Sequence, residues 1–87
     1  MKKLGEYRSG DKVQAWVRDA WNESKGEWKP AEVIRVSKVL PQRGPEYDVV
    51  EIEVERKYYT ENTGYFAKIN RELVIYENEI KEDESNR

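Results

Sequence analysis

An all-β fold, five short strands closing a small barrel, follows from three features of this chain. Residues 13–17 and 50–54 alternate apolar and polar side chains, the two-residue period of a strand with one buried face. Glycine, proline and asparagine cluster between the apolar runs. Apolar residues make up 37% of the sequence and charged residues 39%, a polar balance that suits a closed barrel of short strands, because each strand then needs only one apolar face.

Residues 1–9 form a leader in which Tyr7 is placed to dock on the barrel. The Gly10-Asp11 turn opens a first strand over about residues 12–19. There Val13, Ala15 and Val17 share the inward face, and Gln14, Trp16 and Arg18 share the other. Trp16 therefore lies on the outer face or in a bend near the strand's end. A polar turn, Asn22-Glu23-Ser24-Lys25-Gly26-Glu27, leads into a second strand over about residues 28–39. Ala31 and Val33 fit one parity there and Ile34 and Val36 the other, so the strand carries a bulge or sharp bend of the kind a small barrel needs to close. Leu40-Pro41-Gln42-Arg43-Gly44-Pro45 is a loop. The third strand, about residues 47–56, gives the cleanest signal: Val50, Ile52 and Val54 alternate with Glu51, Glu53 and Glu55, which form an outward acidic stripe. Tyr58-Tyr59 and Tyr65-Phe66 flank a turn containing Asn62 and Gly64, which reads as a hairpin leading to a fourth strand over 65–69. Asn70-Arg71-Glu72-Leu73 reads as one 3₁₀ turn capped by Asn70, and Val74-Ile75-Tyr76 as the last strand. The folded region is thus 10–78, and 79–87 is a mobile acidic tail.

The chain has 87 residues, the size of one domain, which at this length buries only about 60% of its unfolded surface. It has neither cysteine nor histidine. Disulfides, thiolate metal sites, imidazole bases and thiol nucleophiles are therefore all absent. Ser9, Ser24, Ser37 and Ser85 stand in no nucleophile elbow, and no phosphate-binding glycine loop occurs. Carboxylate pairs are available, but Glu51, Glu53 and Glu55 read as a solvated strand face rather than as an acid–base pair. No catalytic residue, metal or cofactor is expected. No apolar run approaches a membrane span or an export signal, so an intracellular, non-membrane setting is expected. The net charge of −2 is uneven. Residues 77–87 hold five acids and two bases, leaving thirteen acids and fourteen bases in 1–76. The near-neutral folded part argues against strong binding to nucleic-acid backbone.

The first hairpin, Gly10-Asp11-Lys12-Val13-Gln14-Ala15-Trp16-Val17 answered by Trp28-Lys29-Pro30-Ala31-Glu32-Val33-Ile34, resembles the opening of Tudor, Agenet and chromo-barrel domains. The resemblance implies a five-stranded SH3-like barrel with a 3₁₀ turn before its last strand. It also implies a reader of modified basic peptides, nuclear if the domain acts on eukaryotic chromatin. Such readers hold a methylated ammonium between ring faces, where cation–π attraction survives desolvation, and a nearby acid selects the methylation state. The matching positions are Trp21 and Trp28 on the first hairpin, Tyr58 and Tyr59 on the second, and Asp19 or Glu23 as the acid. Each ring also has a structural reading. Trp21 can fold over one end of the barrel, Trp28 can pack on the core, and only one of Tyr58 and Tyr59 can face a given side. Phe66 is the expected core member of its pair. Lys29 and the glutamates of 51–55 depart from the family, which often places aromatic residues in those regions.

Three partners follow from this reading. The first is a basic peptide or protein, methylated or unmethylated, favoured by the surplus rings and the acidic stripe. The second is nucleic acid, which the interleaved bases and rings of Trp16-Arg18, Lys25-Trp28-Lys29 and Arg56-Lys57-Tyr58-Tyr59 would meet through stacking and phosphate contacts. The third is an assembly partner of a scaffold subunit that has no ligand pocket.

Overall fold

In the computed structural model, residues 2–19 and 24–83 are described. They form a 3₁₀ turn at Leu4–Glu6, strands β1 (Lys12–Arg18), β2 (Gly26–Val39), β3 (Tyr47–Thr60) and β4 (Gly64–Val74), a second 3₁₀ turn at Glu77–Glu79, and β5 (Ile80–Glu82). The strands make one antiparallel sheet in the order β4-β3-β2-β1-β5.

The alternation in β1 does what its period requires. Val13, Ala15 and Val17 are buried, while Trp16 and Arg18 face out. Gly10, with φ at +93°, turns the chain into the sheet. Its N–H donates to the Val33 carbonyl at 2.8 Å, and the Val33 N–H donates to the Asp11 carbonyl at 2.9 Å. A left-handed backbone at this point favours glycine, which has no Cβ to clash.

β2 serves two neighbours in succession. Its residues 26–32 pair with β1 and its residues 31–39 pair with β3. The register slips between Val33 and Arg35, which leaves Ile34 as an extra residue. The inward parity accordingly passes from Ala31 and Val33 to Val36, which packs against the core. The bend expected from the parity switch in the sequence is therefore present at that switch.

β3 and β4 form the longest hairpin, paired from Val50 opposite Val74 to Thr60 opposite Gly64. Gly64 takes φ +73°, and the Thr63 N–H donates to Thr60 Oγ1 at 3.1 Å to tighten the turn. β2 reaches only as far as Val54 on β3, so the outer half of the hairpin is a two-stranded ribbon standing beyond the rest of the sheet.

Two sequence expectations are corrected here. Residues 70–73 are not a 3₁₀ turn but part of β4, and 74–76 are not the last strand. The polar run Asn70-Arg71-Glu72 stays extended because its side chains find partners across the ladder. Arg56 grips Glu72 through Nε at 2.9 Å and Nη2 at 2.5 Å, and Glu51 lies between Arg35 at 2.7 Å and Arg71 at 4.0 Å. The 3₁₀ turn and the final strand come later, at 77–79 and 80–82, in what the sequence presents as tail. Ile80 is only 2% exposed and lies opposite Ala15. β4 and β5 are the two ends of the strand order, so the sheet is not closed.

The core is built from small apolar side chains. Val13, Ala15 and Val17 of β1, Ala31 and Val33 of β2, Val50, Ile52 and Val54 of β3, Val74 and Ile80 meet Leu4 and Tyr7 of the leader. Each fully buried Val or Ile contributes roughly 1.5–3 kcal/mol relative to exposure. No polar or charged residue is buried among the described residues.

Tyr7 docks as the sequence suggests, and burial pushes its phenol above the ordinary 10.0, helped by the negative field of Glu82, Asp11, Glu6 and Glu77. A raised folded-state value means that the neutral form is favoured by folding. This contribution is complete below the unfolded value and is lost as pH rises through the folded one. Tyr7→Phe is therefore expected to lose less stability than the native chain between about pH 9 and 11. Thermal melts across that range check it, and parallel losses in both proteins would refute it.

Candidate functional site

Trp16 and Trp28 stand directly opposite each other in the β1–β2 ladder, on the face turned away from Val13 and Ala31. Their rings meet edge to face at 5.7 Å between centroids with 71° between planes, an arrangement that sets the positive edge of one ring against the negative face of the other. Both rings are 36% exposed. Trp16 also lies flat over Gly26, where a Cβ would come within 2.8 Å of its Nε1, so glycine at this position is what lets the ring lie on the strand. The packing of Trp28 on the core, one of the two sequence readings, is corrected by this parity. With Ala31 and Val33 inside, Lys29 shares the inward face and Trp28 points out with Pro30 and Glu32.

β5 then brings a cation to this surface. Lys81 lies opposite Gln14 on the far side of β1, and its Nζ sits 4.2 Å from the centre of the Trp28 ring. Lys2 Nζ lies 4.8 Å from the Tyr7 ring and pairs with Glu82 at 3.3 Å and Asp11 at 3.8 Å. Lys2, Tyr7, Trp28, Glu77, Lys81 and Glu82 line one open cleft. This cleft thus already holds two ammonium groups over two ring faces, with carboxylates beside them. Its lysines and acids come from residues that the sequence presents as leader and tail. Tyr7 is the signal in the leader, and in the tail the one apolar residue, Ile80, is too little to establish a strand.

The other candidates are placed as follows. Tyr58 and Tyr59 project to opposite faces of the ribbon, as neighbours in a strand must. Tyr58 stacks on Phe66 at 5.5 Å with 21° between planes, and its hydroxyl accepts a hydrogen bond from Asn70 Nδ2. Tyr59 tilts against Tyr65 at 4.9 Å. Phe66 is 40% exposed rather than a core residue, because the ribbon has outrun β2. Asp19 closes the first chain reversal with its backbone, its N–H donating to the Lys25 carbonyl at 2.9 Å. Trp21 and Glu23 lie outside the described residues. Among the described residues, Trp28 meets Trp16 and Lys81, and neither Tyr58 nor Tyr59 joins it in ring contact.

A second cleft opens between β1 and β4. Trp16, Val17, Ile52 and Val74 line it together with the pairs Arg18–Glu79, at 3.1 Å, and Arg56–Glu72. Among the described residues no group of His, Cys, Asp and Glu side chains is arranged to hold a metal ion, and no helix is long and apolar enough to cross a membrane. No family model matches the chain, and neither a curated protein nor a solved structure matches it.

Proposed function

We propose that this chain is a non-catalytic binding module that recognises a basic peptide, with or without methylation of its lysine or arginine, through the aromatic surface around Trp28. The observation that carries this reading is the Lys81 ammonium seated 4.2 Å from the Trp28 ring, in a cleft that also presents Glu77 and Glu82. A ring face flanked by carboxylates attracts an ammonium through both its quadrupole and the nearby charge. Here an internal lysine occupies the place where a ligand's cation would bind. Strand order adds support. A four-strand antiparallel meander whose second strand carries a bulge between two neighbours, followed by a 3₁₀ turn and a fifth strand that returns to the free side of β1, is the arrangement expected of an SH3-like barrel of the Tudor type.

The test is an NMR titration with trimethyl-lysine and unmethylated peptides, followed on the three Trp indole signals. The Trp28 and Trp16 indoles are expected to shift with the methylated peptide, together with Lys81 and Glu82. The absence of any shift at about millimolar ligand, the affinity floor of weak recognition, would overturn the reading.

The ribbon favours nucleic acid as a second partner. Tyr58 with Phe66 and Tyr59 with Tyr65 expose rings on its two faces beside Arg56, Lys57 and Lys68. Single-strand binding that collapses as salt rises would support that partner.

A further inference from the structure

The two edges of the sheet differ sharply. β5 is three residues long and carries Lys81 and Glu82, the kind of short, charged edge that resists pairing with another chain. β4 is eleven residues long, lacks proline, and pairs on one side only, with β3. Its outer face is mostly apolar: Tyr65 is 72% exposed, Ile69 56% and Leu73 67%. An edge this long, with this much uncovered apolar surface beside it, is a template for a further strand.

We propose that the strand it accepts is β4 of a second copy, paired antiparallel about a twofold axis at Asn70, so that β3-β4-β4-β3 becomes continuous across the dimer. The proposal is independent of the peptide reading. What selects a second copy is the self-complementarity of the β4 sequence in this register. Lys68 falls opposite Glu72 of the second copy, and Glu72 opposite its Lys68. Phe66 meets Val74, Ala67 meets Leu73, Tyr65 meets Ile75, and the aliphatic stem of Arg71 covers Ile69. The neighbouring centres match less well in charge or polarity. A twofold at Lys68, Arg71 or Glu72 sets each of these against itself, and one at Ile69 places Phe66 against Glu72.

Lys68 gives the pairing a further reason. Within the chain it lies opposite Arg56, a like-charge cross-strand neighbour. Glu72 is taken up by Arg56, and Lys68 has no ion-pair partner among the described residues. Glu72 of a second copy would supply one. In the same register the second copy's Phe66 arrives beside Val74, at the cleft that Val74 lines with Trp16, Val17 and Ile52.

Sedimentation equilibrium on the native chain is expected to show a mass rising from 10.4 kDa toward roughly twice that as the chain is concentrated from about micromolar to about millimolar. Lys68→Glu is expected to weaken the association about tenfold, since two attractive pairs become two repulsive ones. It should also leave the monomer's melting point unchanged or higher, because the new carboxylate then faces Arg56. Because the chain has no cysteine, Asn70→Cys reports the register directly. It should oxidise rapidly to a disulfide dimer, as opposed antiparallel residues place their Cα atoms about 4.5–5.5 Å apart, whereas Thr60→Cys should not. A native chain monomeric at millimolar concentration, association that survives Lys68→Glu, or equal crosslinking at residues 60 and 70 would each overturn the proposal.

Discussion

A chain ending at Glu79 is expected to lose its cooperative unfolding transition. β5 is small, yet it supplies Ile80, one of the least exposed side chains of the core, and covers the outer side of β1 at Val13, Gln14 and Ala15. Removing it exposes Val13 and Ala15 from that side and strips their strand of a ladder. A domain of this size is stable by only about 5–10 kcal/mol, and large-to-small substitution of a buried isoleucine alone removes roughly 2–5 kcal/mol. Losing the whole strand takes away most of that margin. Graded substitutions separate the side chain from the ladder. Ile80→Val should cost roughly 0.5–1.5 kcal/mol and Ile80→Ala roughly 2–5 kcal/mol in urea titrations. If the shortened chain melts within a few degrees of the native one, residues 80–82 are an appendage and the strand assignment has no energetic weight.

Much of the sheet was legible because the strands that were read correctly carry a single face of apolar residues. β1 and the first part of β3 announce themselves by strict alternation, and the bend in β2 by a break in it at Ile34. The C-terminal third was misread for a physical reason. Strand signals weaken on an edge strand, where half-buried positions such as Asn70 and Glu72 are filled by polar side chains with cross-strand partners rather than by apolar ones. Asn70, Arg71 and Glu72 look like a turn in sequence. They are held extended by Tyr58, Glu51 and Arg56 respectively, partners a dozen or more positions away that local propensity does not register. Ile80 failed to signal a strand because it is one apolar residue among acids, and three residues of β5 are too few to establish a period. The surface around Trp28 was half legible. Counting back by two from Val33 and Ala31 puts Trp28 on the outer face. No local pattern foretells that Lys81, fifty-three positions later in the sequence, will lie over its ring.

That lysine yields the sharpest functional expectation, because two substitutions should move peptide affinity in opposite directions. Trp28→Ala removes the ring that faces the ammonium. A desolvated cation–π contact is worth about 2 kcal/mol, so binding of a trimethyl-lysine peptide should weaken on the order of tenfold or more. The fold should tolerate the change, since Trp28 is not a member of the core and its ring meets Trp16 and Lys81 on the outer face. Lys81→Gln instead vacates the ring face. An exposed internal contact of about 0.5–1 kcal/mol no longer has to be displaced, and the same peptide should bind a few-fold more tightly. Isothermal titration of both variants against the native chain checks the pair. If Trp28→Ala binds as the native chain does, the ring is no part of a recognition site. If Lys81→Gln weakens binding, then Lys81 helps to hold the cleft in shape, and ligand does not compete with it for the ring.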